Sequence, residues 1–423
     1  MQYFFILGRI KELSTAELLK FVQFQGGPST PRVSGPRGQS FEVKEISEKF
    51  IILETDKKID LSFWQKQLGG IVKCGEIVGE IYPVKSSEGR ILSKTKLFNR
   101  VKEILLNKIK NEKIFFGLSL YSLTRKVPFN EIKDYSTSLK KGFKKQGLSV
   151  SFVLPKEKPF LSTATIIKNK LLEKGMELVF LIEKDKILIG QTQAIQSIEE
   201  EATLDFLRPH HEIKEGLIPP KLAKILINLA SVRKEEAILD PFCGSGTILG
   251  QAFLMGYQYL IGSDKSQKAI SQTKENMVWL KERFKREAKI EIFQSDVKEV
   301  WQRLPPSSVS AIIAEPFLGP LQIQDRKFFS NIIENLSDLY LQAFESFKKV
   351  LKPGGRVVII FPIFSAYGGS AKGGKIKTGV LPILEKISSL GWKKEKLSAN
   401  NRGSLIYSRP GQKVLREIFV FSS

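Results

Sequence analysis

The sequence predicts an α/β protein whose C-terminal part is a parallel, doubly wound sheet, preceded by a small α+β module and a basic α+β domain. Three observations carry that prediction. From residue 237 onward, five β-rich segments (AILDPF, YLIGSD, IEIFQSD, SAIIAEPF and RVVIIFP) are each followed by a helical stretch or a loop, the pattern of parallel strands joined by crossovers. The first of them runs into a glycine-rich turn that opens a helix, ILDPFCGSGTILGQA. The composition also changes along the chain: residues 90–150 hold 15 Lys or Arg against 4 Asp or Glu.

Taken in order, QYFFILG reads as a strand and STAELLKFVQF as a helix, with Ser14 as N-cap and Glu17 completing a capping box. GGPSTPRVSGPRGQS (26–40) is a loop, FEVKEISEKFIILET resumes strand patterning, and FWQKQLGG ends a short helix on glycines. These residues, 1–88, form a ferredoxin-like α+β module. Residues 89–197 form the basic domain: a strand FFGLSLYSL, the helix EIKDYSTSLKKGFKKQG, a strand SVSFVLP, a helix ATIIKNKLLEKG, and strands MELVFLIEKD and KILIGQTQAI. In the first helix Leu139 and Phe143 face inward while Lys140, Lys141, Lys144 and Lys145 face out. Residues 198–236 are an acidic connector, RPHH, and a proline-initiated helix whose Leu222, Ile225, Leu226 and Leu229 recur at helical spacing. The sheet occupies 237–423, and a closing hairpin-like pair, WKKEKLSAN and REIFVFSS, adds an antiparallel strand.

Charge narrows the partners. With 67 Lys and Arg against 44 Asp and Glu, the net charge is +23, which points to an anionic partner, nucleic acid before membrane. The local excess around Lys140, Lys141, Lys144 and Lys145 marks a phosphate-binding surface; the alternative is a solvated helix face. Cys74 and Cys243 argue against a disulfide framework and, with His210 and His211, cannot build a convincing structural zinc site, so no metal is expected. The N-terminus lacks the pattern of a signal peptide, and the longest apolar runs, such as VVIIFPIF (357–364), fall short of a membrane span. The expectation is a cytoplasmic protein and a monomer, with a partner protein left open.

The chemistry concentrates at the strand ends. Gly244 and Gly246 let a ligand approach the backbone, and the helix that follows offers its first N–H groups. This turn is no P-loop, since no Gly-Lys-Ser/Thr follows, and a poor dinucleotide fingerprint, since Gly250 stands one place late. Asp264, 20 residues beyond Gly244, ends the next strand, where a carboxylate would accept from ribose hydroxyls. Asp296 ends the third, within reach of an adenine amine. Asp240 ends the first strand; any one of these three acids could be a helix cap or turn residue, but all three with the glycines point to a nucleoside-containing ligand.

This pattern resembles the class I methyltransferases that use S-adenosyl-L-methionine. LSTAELLK, the FFGLS…LKKGFKKQG unit, RPHH before LIPPKLAKILINLA, and LDPFCGSGTILGQAFLMGY together resemble the THUMP-containing tRNA guanosine-N2 methyltransferases over nearly the whole chain. The resemblance implies a Rossmann-like catalytic domain that methylates the exocyclic amine of guanosine, at position 10 of tRNA. It further implies that the N-terminal module and THUMP domain grip the tRNA. It assigns Asp240, Gly244 and Gly246 to the cofactor's methionine end, Asp264 to its ribose and Asp296 to its adenine.

One segment departs from the family. AIIAEPFLGP (311–320) stands where the family carries Asp-Pro-Pro-Tyr; Pro316 and Phe317 match its last two places, and Ala314 falls where the acid belongs. A guanine amine is a poor nucleophile, so a catalyst must hydrogen-bond its N–H groups and orient its lone pair. Glu315 is expected to reach the place of the missing acid, a backbone carbonyl of Ala314 or Glu315 to supply a second acceptor, and Phe317 to stack on the base. The open alternatives are a non-catalytic tRNA-binding protein and a methyltransferase for another RNA or DNA amine. The loop SAYGGSAKGGKIKTG (365–379), with Lys372, Lys375 and Lys377, is a candidate clamp on phosphates.

Overall fold

The computed structural model describes the chain except residues 27–31, 35–39, 83, 87–88, 92–93, 109–112, 198–201, 211–217, 321–325, 365–378 and 411. The chain divides into two units. One takes residues 1–11, 22–66 and 70–196; the other takes 12–21, 67–69 and 197–423.

The first unit is built on one nine-stranded sheet. Its strands are β1 (Gln2–Leu7), β2 (Arg32–Ser34), β3 (Ser40–Ile46), β4 (Phe50–Thr55), β5 (Ile71–Ile81), β8 (Lys113–Ser122), β9 (Ser149–Val153), β10 (Met176–Ile182) and β11 (Ile187–Ile195). A separate hairpin pairs β6 (Val84–Ser86) with β7 (Gly89–Ile91). The spatial order β2-β3-β4-β1-β5-β11-β10-β8-β9 crosses residue 88, where the sequence suggested a boundary. The cause is β5, which bonds β1 along one edge and β11 along the other. Left unpaired, that second edge would expose a row of backbone donors and acceptors. The strands on both sides of this join are also tied by a buried polar knot. Lys73 of β5 reaches Glu177 of β10 at 2.5 Å, and Ser119 of β8 and Thr192 of β11 each donate to that carboxylate at 2.5 Å.

Two local readings differ from the sequence. The first helix, α1, runs Lys11–Gly26, so Ser14 lies inside it and cannot be its N-cap. Glu17 is fully buried and accepts from Gly69 N (2.8 Å) and Asn228 Nδ2 (2.7 Å), so a tertiary role replaces the capping box. After α2 (Leu61–Gln67), α3 (Lys94–Lys108) and α4 (Phe129–Lys145), the predicted helix at ATIIKNKLLEKG is split into α5 (Thr163–Lys168) and α6 (Leu171–Lys174), because Lys170 takes a left-handed φ of +49°.

The second unit holds the predicted doubly wound sheet. Its strands are β12 (Ala237–Asp240), β13 (Tyr259–Asp264), β14 (Lys289–Gln294), β15 (Val309–Ala314), β16 (Leu351–Phe364), β17 (Gly379–Val380), β18 (Lys393–Lys394), β19 (Leu405–Tyr407) and β20 (Val414–Ser422). They run in the order β14-β13-β12-β15-β16-β20-β18, with the first five parallel and β20 antiparallel to β16. Order reverses between β12 and β15, the switch point at which open α/β sheets leave a crevice beyond their carboxyl ends. Helices α7 (Pro220–Ala230), α8 (Thr247–Leu254), α9 (Gln267–Phe284), α10 (Arg326–Val350) and α11 (Leu384–Ser389) join this unit. Its core is aromatic: Tyr340, Phe344 and Phe347 of α10 pack with Phe361, Phe419, Phe421 and Trp392.

Candidate active site

At the end of β12 the chain turns through Gly244 (φ +52°) and Gly246 (φ +83°) into α8. Left-handed backbone is costly for any other residue, and a Cβ on Gly246 would lie 2.9 Å from the methyl of Thr273. Beside Gly244 nothing lies within 4 Å of where a Cβ would project, so the turn exposes its backbone to the crevice. Helix α9 clamps the turn from behind. Thr273 Oγ1 donates to Gly244 O at 2.7 Å, and Asn276 Nδ2 donates to Ser245 O at 2.9 Å. Neither residue was singled out in the sequence. Two polar residues three apart among the apolar positions of the helix that follows β13 are the signal that could have found them.

The strand-end acids gather here. Asp264 accepts from Gly244 N (3.0 Å) and from Ser266 N (2.9 Å), so its carboxylate braces the glycine turn from the neighbouring strand. Asp296 follows β14 and caps the short 3₁₀ turn Val297–Gln302, accepting from Lys298 N at 3.1 Å. Ser295 N, bonded to Asp264 O at 3.1 Å, keeps these two strand ends together. Asp240 is buried and accepts from Phe242 N at 3.1 Å. Burial pushes its carboxyl well above the usual range, and the charges of Asp264 and Glu315 add to that. The structure thus brings Asp264 and Glu315 each within electrostatic reach of Asp240, with Asp296 one strand further along.

The loop after β15 differs from expectation. Glu315 does carry its carboxylate at the strand end, but that carboxylate is already ion-paired with Nε of Arg416 from β20. Only 12% of the Glu315 side chain and 4% of Arg416 are exposed. Burial raises the Glu315 pKa, and Arg416 pulls it back down. Pro316 is buried, whereas Phe317 is 62% exposed at the mouth. The backbone at Phe317 is anchored: its carbonyl accepts from Tyr340 Oη at 2.8 Å, and Tyr340 itself stacks on Phe361. Arg416 was missed in the sequence. A charged pair, Arg416-Glu417, inside an otherwise apolar terminal strand was the available signal.

The remaining candidates separate cleanly. His210 bonds Glu275 through Nε2 at 2.7 Å, and its backbone exchanges two hydrogen bonds with the Asn276 amide. His211 and the loop with Lys372, Lys375 and Lys377 lie outside the described residues. Cys243 is buried and burial pushes its thiol up, as suits a packing residue. In the first unit, Lys140, Lys141, Lys144 and Lys145 stand exposed on α4, opposite its buried Ile132, Tyr135, Leu139 and Phe143. Among the described residues no group of three His, Cys, Asp or Glu could hold a metal, and no helix is long and apolar enough to cross a membrane.

A glycine turn and acids at successive strand ends, on a sheet with an antiparallel strand beside its parallel ones, define the class I methyltransferase fold. Comparison agrees: the crystal structure of TrmN from Thermus thermophilus superposes over the whole of both chains with a TM-score of 0.54 at 14% identity, a likeness of fold alone. The family described as RMKL-like, methyltransferase domain, matches residues 209–366, and one described as DNA methylase matches 50–275. A tRNA (guanine(10)-N2)-dimethyltransferase of Methanothermobacter thermautotrophicus is 30% identical over 194 residues, 45% of this chain and 52% of that one. A protein of Methanothermococcus thermolithotrophicus named "Probable tRNA (guanine(10)-N2)-dimethyltransferase" is 33% identical over 122 residues, 28% of this chain and 72% of its own length. The chain belongs to the family of the tRNA (guanine(10)-N2)-dimethyltransferases. It spans about half the length, or less, of the first curated relatives it matches.

Proposed function

We propose that this chain is an S-adenosyl-L-methionine-dependent methyltransferase that modifies the exocyclic N2 amine of a guanosine in tRNA, position 10 being the first to test. The observation that carries the reading is the convergence of the Gly244 turn, Asp264 and the Glu315–Phe317 loop at one switch point of the sheet. The crevice fits the cofactor: open space beside Gly244 admits a ligand to the backbone, and the carboxylates are acceptors for hydroxyl and amine groups. Gly244, Gly246 and Asp240 would hold its methionine end, Asp264 its ribose and Asp296 its adenine. When bound, it supplies an electrophilic methyl group.

The chain's own part is positioning. The exposed ring of Phe317 offers a stacking face for a base turned out of its helix. Glu315 and a neighbouring backbone carbonyl accept from the amine and direct its lone pair, which is where most of the rate enhancement of such a reaction arises. The lysine face of α4 would track RNA phosphates in the manner of a THUMP domain. This reading makes the protein a cytoplasmic monomer. The match to the DNA methylase family over 50–275 favours a second reading, methylation of another nucleic-acid amine at the same site.

The deciding experiment is mass spectrometry of nucleosides from tRNA incubated with the protein and S-adenosylmethionine. N2-methylated guanosine is expected. A methylated adenosine or cytidine would favour the second reading, and no methyl transfer to any RNA or DNA tried would leave a binding protein.

A further inference from the structure

We infer that the Glu315–Arg416 pair decides which base the loop accepts: Arg416 is a positioning residue that holds Glu315 as an acceptor-only carboxylate toward the incoming base, and guanine is the base whose edge fits it. The inference rests on the functional reading above and adds to it a specificity determinant.

Position comes first. β15 ends at Ala314, and β20 lies one strand away across β16. In the register of β20, Arg416 stands opposite Pro362 of β16 and Tyr407 of β19. Its guanidinium lies 5.9 Å from the centre of the Tyr407 ring, and its Nε donates to Glu315 Oε1. Among the described residues, the other titratable groups that face Glu315 are Asp240 from β12 and Tyr340 from α10. Neither can stabilise a negative charge on Glu315 by being positive. A carboxyl this buried would keep its proton without a cation beside it. Arg416 supplies that cation at hydrogen-bond distance; burial still leaves the Glu315 pKa raised, and the pair opposes that rise and favours the ionised form.

Ionisation then sets the chemistry. A carboxylate accepts hydrogen bonds and donates none, and its two oxygens offer about four lone-pair sites. One bond from Arg416 therefore leaves acceptors for a base. Guanine presents two adjacent donors, N1–H and the N2 amine. Adenine and cytosine instead place a ring-nitrogen lone pair beside their amine, and that lone pair would face the carboxylate. A neutral amide or a protonated acid at position 315 has a donor to offer and loses this discrimination.

The test uses the full chain, S-adenosylmethionine, and tRNA with either guanosine or 2-aminopurine at the methylated position. The analogue keeps the 2-amine but turns N1 into an acceptor. Calorimetric affinity for the cofactor shows that each variant retains its fold. The wild type should favour guanosine in kcat/KM by about tenfold to a hundredfold, the scale of one two-point base contact. Glu315→Gln should erase most of that preference at every pH. Arg416→Gln should erase it near neutral pH, where Glu315 takes up a proton, and regain it as the pH rises. Its acid limb for guanosine should move up by about one pH unit or more. Arg416→Lys should keep the preference, and Arg416→Gln should cost nothing further in a Glu315→Gln background.

A wild type that methylates both bases equally well would overturn this inference while leaving the methyltransferase reading intact. So would an Arg416→Gln variant that binds cofactor normally and loses activity uniformly at all pH values, which would make Arg416 a strut. A wild type with no turnover on any tRNA would overturn the functional reading, and the inference with it.

Discussion

Replacing Asp264 by alanine removes two things at once. Its carboxylate accepts from Gly244 N at 3.0 Å and Ser266 N at 2.9 Å, and in the proposed complex it also accepts from the ribose. Hydrogen bonds to charged groups contribute about 1.5–3 kcal/mol each. Ser266 N is exposed and water can take over its bond, while Gly244 N is half-buried. The expected loss of stability is therefore that of one such bond, roughly 1.5–3 kcal/mol. The ribose contact should cost a further 1–3 kcal/mol or so in cofactor affinity, a drop of roughly 5-fold to 150-fold. Urea unfolding gives the first number and calorimetry with S-adenosylmethionine the second. Asp264→Asn separates them, since an amide oxygen can still brace Gly244 but cannot accept from two hydroxyls as well. Unchanged affinity in a folded Asp264→Ala protein would refute the ribose assignment.

Three further outcomes follow from the same geometry. Lys73→Met strands the fully buried Glu177 without its cation and should destabilise the first unit by about 3–5 kcal/mol in urea unfolding; a loss below about 1 kcal/mol would mean that Ser119 and Thr192 suffice. Changing Lys140, Lys141, Lys144 and Lys145 to Ser should flatten the salt dependence of RNA binding by about 0.7–0.9 for each phosphate left without a lysine, and an unchanged slope would return them to a solvated helix face. Because Asp240 holds its proton more tightly when folded than when unfolded, it makes cofactor-free stability fall as pH rises above the unfolded carboxylate range. Asp240→Asn should remove that fall, and identical pH profiles for the two proteins would show that Asp240 ionises normally.

The parallel sheet was legible because each strand is short, apolar and followed by a turn, so local pattern and tertiary position agree. The acids at the strand ends were legible for the same reason: sequence spacing along a β–turn–helix unit fixes which residues reach the carboxyl edge. The join between β5 and β11 was not. It pairs Ile71–Ile81 with Ile187–Ile195, and no local feature of either strand names its partner. Glu17 failed in the opposite way: its spacing from Ser14 satisfies a local rule, yet burial gave it to Gly69 and Asn228 instead.

Glu315 shows where the boundary between these cases lies. Its oddity was visible in AIIAEPFLGP, because an acid displaced by one position from a family loop is a local fact. What the acid does depends on a residue 101 positions later. A buried glutamate next to a buried Asp240 would ordinarily be protonated, and a protonated acid could donate to a ring nitrogen as readily as accept from an amine. The antiparallel β20 carries a cation to the end of β15, which opposes the rise that burial gives the Glu315 pKa. A two-residue change in the loop and a charge in the last strand are thus one design, and neither half has a clear meaning without the other.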